Sequence, residues 1–296
     1  FFMSTNLPQE IPGRVTFMEG NGELPKIQIA TPWSHAEIYL QGAHITHFQN
    51  IGEPPLLFLS HVSRFEKGTP IRGGIPIIFP WFGPREGQVM HGFARNQTWD
   101  LKEIIQSPGG GLHLKFNLPD CDQAALLPKF TADYSVEVNQ SLRAELTIQN
   151  MTEDENFIFE NCLHTYFTVG DVSAISISGL KGTDYLDKCK NFARWTETTD
   201  SIKIAEEIDR VYLDTTSTVE IHDTNLKRRI IVEKSGSVST VLWNPWIAKS
   251  QQMPDFGNDE YQRMICVESG NVAGNQITLP PGKSCSLQIN LRAAPL

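Results

Sequence analysis

Apolar and polar residues alternate with a period of two along much of this chain. In residues 142–149, Leu142, Ala144, Leu146 and Ile148 alternate with Arg143, Glu145, Thr147 and Gln149. In residues 285–292, Cys285, Leu287, Ile289 and Leu291 alternate with Ser286, Gln288, Asn290 and Arg292. Successive side chains of a strand point to opposite faces, so each run predicts a strand with one buried and one solvated face. Shorter runs at 112–118, 134–138, 157–163, 174–177 and 238–243 read the same way. Pro108-Gly109-Gly110-Gly111 and Pro280-Pro281-Gly282 supply turn chemistry between runs. Helical signal is confined to residues 122–127 and 245–253, each enough for a short helix or turn. Many strands without long helices predict an all-β sandwich. No Pro/Ser-rich linker, charge block or internal repeat interrupts the pattern. A single domain over residues 1–296 is expected, with residues 1 to about 10 as a loose N-terminal tail.

Composition narrows the partners. The chain has 296 residues, 40% of them hydrophobic, enough for a sizeable core. Thirty-four acidic against 25 basic residues give a net charge of −9, which argues against nucleic acid or an anionic membrane. An anionic small molecule stays open, because a few local arginines can bind a phosphate. No run reaches the roughly 18 apolar residues of a membrane helix. The start, Phe1-Phe2-Met3-Ser4, lacks the basic region and apolar core of a secretion signal, and Met3 is a candidate natural start. The five cysteines are odd in number and contain no C-x-x-C pair, against a disulfide framework or zinc knuckle. Reduced thiols in a cytoplasmic protein are the expectation.

Four segments carry candidate chemistry. In residues 71–84, Arg72 sits within an apolar run broken by glycines and prolines. Such glycines allow positive φ or close backbone approach. A buried guanidinium needs a carboxylate or a phosphate, so Arg72 is either a structural ion pair or a ligand contact. His91 and Arg95 lie four apart around Gly92, in a surface turn or on one pocket. His164 ends the apolar stretch that begins at Asn161, as a core histidine or a catalyst. Glu268 follows Ile265, Cys266 and Val267, and in a strand would share a face with Cys266. A carboxylate at the end of a buried strand is costly unless hydrogen-bonded or functional. Asp209 adds an acid beside apolar residues, or caps a turn. His44 and His47 are three apart and would face opposite sides of a strand, so they make a poor metal pair. No Walker A loop, G-x-G-x-x-G or G-x-S-x-G occurs.

Together and in order, these segments resemble the hexose-6-phosphate mutarotase branch of the aldose 1-epimerase family. The matching pieces are Gly42-Ala43-His44-Ile45, IRGGIPIIFPWFGP from Ile71, HGFARNQTWD from His91 and LHTYFTVGD from Leu163. They continue with GLKGTDYLDK from Gly179, DRVYLDT from Asp209, VLWNPW from Val241 and CVESGNV from Cys266. The resemblance implies a galactose-mutarotase-like β-supersandwich. It implies a catalytic pair, His164 and Glu268, with Arg72, Arg95, Asp209 and His91 on the ligand. The residue before the HGFAR histidine is a glutamine lining the site in that branch; here it is Met90, a departure that puts one polar contact in question.

The residue types suit anomer exchange. One group takes the anomeric hydroxyl proton while another protonates the ring oxygen, and closure on the other face reverses both transfers. The two groups are expected on opposite sides of the reacting carbons. Ordinary pKa values, about 4.3 for Glu and about 6.5 for His, let an ionised Glu268 base and a protonated His164 acid coexist. Two guanidiniums, Arg72 and Arg95, would suit a sugar phosphate better than a neutral aldose. No metal or other cofactor is expected, and a monomer acting on a small-molecule sugar phosphate is the resulting picture.

Overall fold

The computed structural model describes residues 9–296. The expected N-terminal tail therefore falls mostly outside the described residues; at its end, the Glu10 carboxylate accepts a 2.7 Å bond from the Phe17 N–H.

The two longest alternating runs become neighbours. Leu142–Asn150 and Ser284–Pro295 pair antiparallel, with Leu142 opposite Leu291, Ala144 opposite Ile289 and Leu146 opposite Leu287. All six side chains are fully buried, as the period of two requires. They lie at the centre of an eight-stranded sheet. On one side follow Arg228–Ser235, Val219–Asp223 and Ile175–Ser178; on the other, Phe130–Val138, Leu112–Asn117 and Asp100–Gln106.

A second eight-stranded sheet holds the functional chemistry. Its order is Ala193–Thr196, Asp184–Asp187, Ile208–Tyr212, Ser239–Asn244, Met264–Asn271, Asn161–Leu163 and Ile77–Ile78, with Tyr166–Thr168 also paired to Met264–Asn271. Every strand pairing in both sheets is antiparallel. A four-stranded meander covers residues 15–50, and Phe157–Phe159 pairs with Ile277–Leu279. One apolar cluster joins the layers, with Leu146 and Ile289 from one large sheet, Leu242 and Val267 from the other, and Ile27 and Ile38 from the meander. The only α-helix among the described residues is the five-residue Trp246–Ser250, inside the 245–253 segment. Residues 122–127 hold a single 3-10 turn, Ala124–Leu126.

Two local expectations change. Residues 157–163 alternate as one run, yet the chain switches sheets at Glu160. That carboxylate accepts the N–H groups of Phe82 and Ala273 at 2.8 and 2.6 Å, stitching the switch point. Glu268 is not at a strand end. It lies inside Met264–Asn271, whose eight residues are all buried because both faces of this central strand are covered.

The glycines of the apolar segment behave as their chemistry dictates. Gly73 and Gly74 have φ of 121° and 62°, and a Cβ on Gly74 would lie 2.2 Å from the Ile45 carbonyl oxygen. Gly92, with φ of 71°, lets the loop after residue 83 close onto Phe79, where a Cβ would meet the carbonyl oxygen at 2.0 Å. His44 is wholly buried and bonds the Gly73 carbonyl through Nε2 at 2.7 Å, a structural role.

Candidate active site

Cross-strand register builds the site floor. Asp209 stands opposite Trp243, Trp243 opposite Cys266, and Cys266 opposite Tyr166. Directly opposed residues share a face, and Glu268 joins them two positions beyond Cys266. After Asn161–Leu163 the chain bends, with the His164 N–H donating to the Pro76 carbonyl at 3.1 Å. The bend carries the imidazole over the central strand, where His164 Nε2 and Glu268 Oε1 are 3.2 Å apart. The two groups are thus side by side, not on opposite sides of the space a sugar would fill.

The histidine ring is held by packing. It stacks on Tyr166 at 4.7 Å with an interplanar angle of 12°, and the edges of His91 and Trp243 close around it at 5.9 and 6.2 Å. Its Nδ1 has no hydrogen-bond partner. On the glutamate, Oε2 accepts the Cys162 thiol at 3.5 Å. His164 and Glu268 line a cleft of about 250 Å³, shared with Arg72, His91, Met90 and Asp209. That volume suits one sugar ring rather than an extended chain.

Burial sets the electrostatics of the pair. Side-chain exposure is 8% for His164 and 1% for Glu268. Loss of hydration pushes Glu268 well above the usual carboxylate range. Loss of hydration, reinforced by the nearby Arg95 and Arg72, holds His164 well below the usual imidazole range. Both shifts oppose the separately charged His164 and Glu268 expected from ordinary pKa values, and at 3.2 Å the two titrate as a coupled pair rather than independently.

Around the pair, the sequence candidates separate. Arg72 donates through Nε and Nη2 to Asp255 Oδ2 at 3.2 and 3.1 Å, and through Nη1 to the Tyr166 hydroxyl at 3.1 Å. A guanidinium has five N–H donors, so two remain for a ligand. His91 clips the loop closed: its N–H donates to the Gly83 carbonyl at 2.9 Å, and its Nδ1 accepts the Gly83 N–H at 3.0 Å. Burial, then Arg95, Lys188 and Arg72, lower its pKa to about 2, so the ring is neutral with the proton on Nε2. Asp209 lies in the strand Ile208–Tyr212 rather than capping a turn, and binds Lys188 at 2.9 Å. Burial raises its pKa while Lys188 opposes the rise.

Arg95 is not in the cleft wall. Its guanidinium lies behind the His91 loop, 8% exposed, donating Nη2 to the Met90 carbonyl at 2.8 Å with Nε unpartnered. Spacing in HGFAR could not reveal this, because the 3-10 turn Ala94–Asn96 rotates Arg95 inward. Met90 is half exposed at the mouth and contributes its carbonyl to Arg95 as well as its side chain to the lining. Two further cations line the cleft, Lys188 and Lys249, the latter 2.9 Å from Glu207. Lys188 closes the GLKGTDYLDK run and Lys249 follows Trp246-Ile247-Ala248, but neither segment by itself marks its lysine as a cleft residue.

One donor atom each from His164, Cys266 and Glu268 lies within 4.8 Å of the other two, a nitrogen, sulfur and oxygen set able to hold a metal ion. Cys266 itself is fully buried behind the cleft floor.

The aldose 1-epimerase family profile matches residues 25–292. The chain belongs to the aldose 1-epimerase family. A Cenchrus ciliaris relative, provisionally named a glucose-6-phosphate 1-epimerase, is 35% identical over 269 residues, covering 88% of this chain and 82% of its own. The crystal structure of a provisionally named mutarotase from Salmonella typhimurium superimposes with a TM-score of 0.89 at 31% identity, over 98% of this chain and 96% of that one. A galactose mutarotase related enzyme from Lactobacillus acidophilus superimposes with a TM-score of 0.71 at 15% identity, over 91% of this chain and 97% of that one, a likeness of fold alone. The expected supersandwich of antiparallel sheets is borne out.

The position of Arg95 generates a prediction. Arg95→Met removes the bond that holds the Met90 carbonyl and should free the His91 loop. Thermolysin cleavage near Val89 and Met90, both about half exposed, should then accelerate several-fold under native conditions. Unchanged cleavage would show that Arg95 does not anchor the loop.

Proposed function

We propose that this aldose 1-epimerase family member interconverts the α and β anomers of a hexose 6-phosphate, glucose 6-phosphate first among them. The carrying observation is the 3.2 Å contact between His164 Nε2 and Glu268 Oε1 at the cleft floor. The anomeric hydroxyl oxygen and the ring oxygen are bonded to the same carbon. Two proton-transfer groups that serve them must converge on adjacent atoms, and a His–Glu pair on one cleft floor supports that reading.

In ring opening, Glu268 takes the proton of the anomeric hydroxyl as its oxygen forms a carbonyl with C1. The bond from C1 to the ring oxygen breaks, and His164 delivers its proton to that oxygen. The pair starts as HisH⁺ with Glu⁻ and ends as His with GluH, so the substrate carries the shared proton from one partner to the other. Rotation about C1–C2 presents the other carbonyl face, and closure runs both transfers backwards. No electron leaves the sugar, and the balance needs no cofactor.

Arg72, with two free N–H donors, Lys188 and Lys249 supply the positive side of the cleft, which supports a phosphate at C6. A neutral aldose is the second reading. It is favoured by the pairing of all three cations with carboxylates, Asp255, Asp209 and Glu207, which a neutral ligand leaves undisturbed. We infer a monomeric cytoplasmic enzyme without nucleic-acid or membrane partners. The net charge of −9 supports the lack of anionic partners, and among the described residues no helix is long and apolar enough to cross a membrane.

His164→Ala and Glu268→Gln should each slow enzyme-catalysed anomer exchange by about a hundredfold or more, read by exchange NMR on glucose 6-phosphate. Wild-type rates in either folded variant would remove the assignment. Arg72→Ala should lower kcat/KM for glucose 6-phosphate about ten- to a hundredfold, the worth of roughly 1.5–3 kcal/mol of charge-assisted bonding, and leave unphosphorylated glucose nearly unaffected. Equal losses on both sugars would favour the neutral-aldose reading.

A further inference from the structure

Glu268 has a buried neighbour that proton transfer does not use. Cys266 precedes it by two positions in Met264–Asn271, so both side chains leave the same face of the sheet. With His164, they place three donor atoms within 4.8 Å of one another. Around a tetrahedral zinc ion with bonds of about 2.0–2.3 Å, ligand atoms stand roughly 3.3–3.8 Å apart. His164 Nε2 and Glu268 Oε1 already lie at 3.2 Å, and the Cys266 thiol lies within 4.8 Å of both residues' donor atoms.

We propose that His164, Cys266 and Glu268 form an inhibitory site for a zinc-class divalent cation, its fourth coordination position open to the cleft. Charge favours such an occupant. An ion of charge +2 is balanced by one carboxylate and one thiolate, with neutral imidazole as third ligand, so the complex adds no net charge to a buried site. Binding releases two protons, the one shared by His164 and Glu268 and the one on the Cys266 thiol. Nitrogen and sulfur donors select zinc, cobalt or cadmium over magnesium and calcium. Arg72 and Lys188 are offset by Asp255 and Asp209, whereas the buried Arg95 charge also bears on His164 and works against a cation there. An ion held here occupies both proton-transfer groups at once and stops turnover. That inhibitory half rests on the epimerase reading; the binding half does not.

The test uses the full chain carrying Cys189→Ser, which removes the exposed thiol, after chelator treatment. Cobalt(II) should bind at one equivalent and give a near-ultraviolet sulfur-to-cobalt absorption band, which zinc(II) displaces. Zinc(II) should inhibit anomer exchange, and a chelator should restore it. Adding Cys266→Ser should abolish the band and, measured against that variant's own zinc-free rate, raise the half-inhibiting zinc concentration at least about tenfold. Should that variant fail to fold, Glu268→Gln provides the second arm and should weaken cobalt binding at least about tenfold. Absence of the band at one equivalent would overturn the site, as would zinc sensitivity unchanged by Cys266→Ser, or activation by zinc. A cobalt–thiolate band in a protein that exchanges no anomers would support the site and instead remove the epimerase reading.

Discussion

A carboxylate placed in the middle of a fully buried strand is the constraint on which this site depends. Glu268 cannot keep its charge there without a compensating partner, and His164 cannot gain one for the same reason. Their contact resolves both costs with a single proton. Everything nearby serves that arrangement. Tyr166 supports the imidazole face, Cys162 engages the far carboxylate oxygen, and the sheet register fixes the backbone beneath Glu268. The supersandwich matters here as a means of holding a proton pair at fixed separation on a rigid floor.

The cations form a second layer with a graded logic. Arg72 reaches the cleft yet is oriented by Asp255 and by the hydroxyl of the tyrosine on which His164 stacks. A ligand that competes for Arg72 would be felt at Tyr166 and so at the His164 ring. Arg95 contributes from behind, as a buried charge that holds the His91 loop and depresses the basicity of both histidines. Lys188 and Lys249 line the cleft while paired with Asp209 and Glu207.

Much of the fold was legible because half-buried strands write their orientation into the chain. Leu142 to Ile148 and Leu287 to Leu291 alternate without exception and pair directly. The central strand Met264–Asn271 is different. Covered on both faces, it alternates nothing, and its Glu, Ser, Gly and Asn disguise it as a strand end. The switch at Glu160 was hidden because alternation on either side remained in phase. In the site, His164 and Glu268 were visible through family resemblance, whereas the side on which Arg95 points depends on one 3-10 turn. Lys188 and Lys249 acquire meaning only from the tertiary contacts that bring them to the cleft. The reversal of both pKa shifts was equally out of reach, since burial is a property of the assembled sheets.

The central claim is that the pair works as a single-proton unit. With ordinary pKa values near 4.3 and 6.5, HisH⁺ with Glu⁻ would exist in a narrow window that closes as pH rises past about 6.5. Burial moves the two groups in opposite directions. A second proton then binds only below the usual imidazole range, and the last leaves only above the usual carboxylate range; the claim under test is that the one-proton state spans neutrality. The direct measurement is the enzyme-catalysed rate of glucose 6-phosphate anomer exchange against pH, by exchange NMR, with the spontaneous rate subtracted. The account requires a plateau from about pH 6 to 8. A rate that falls about tenfold per pH unit above 6.5 would mean that His164 titrates as an ordinary, independent acid, and would contradict it.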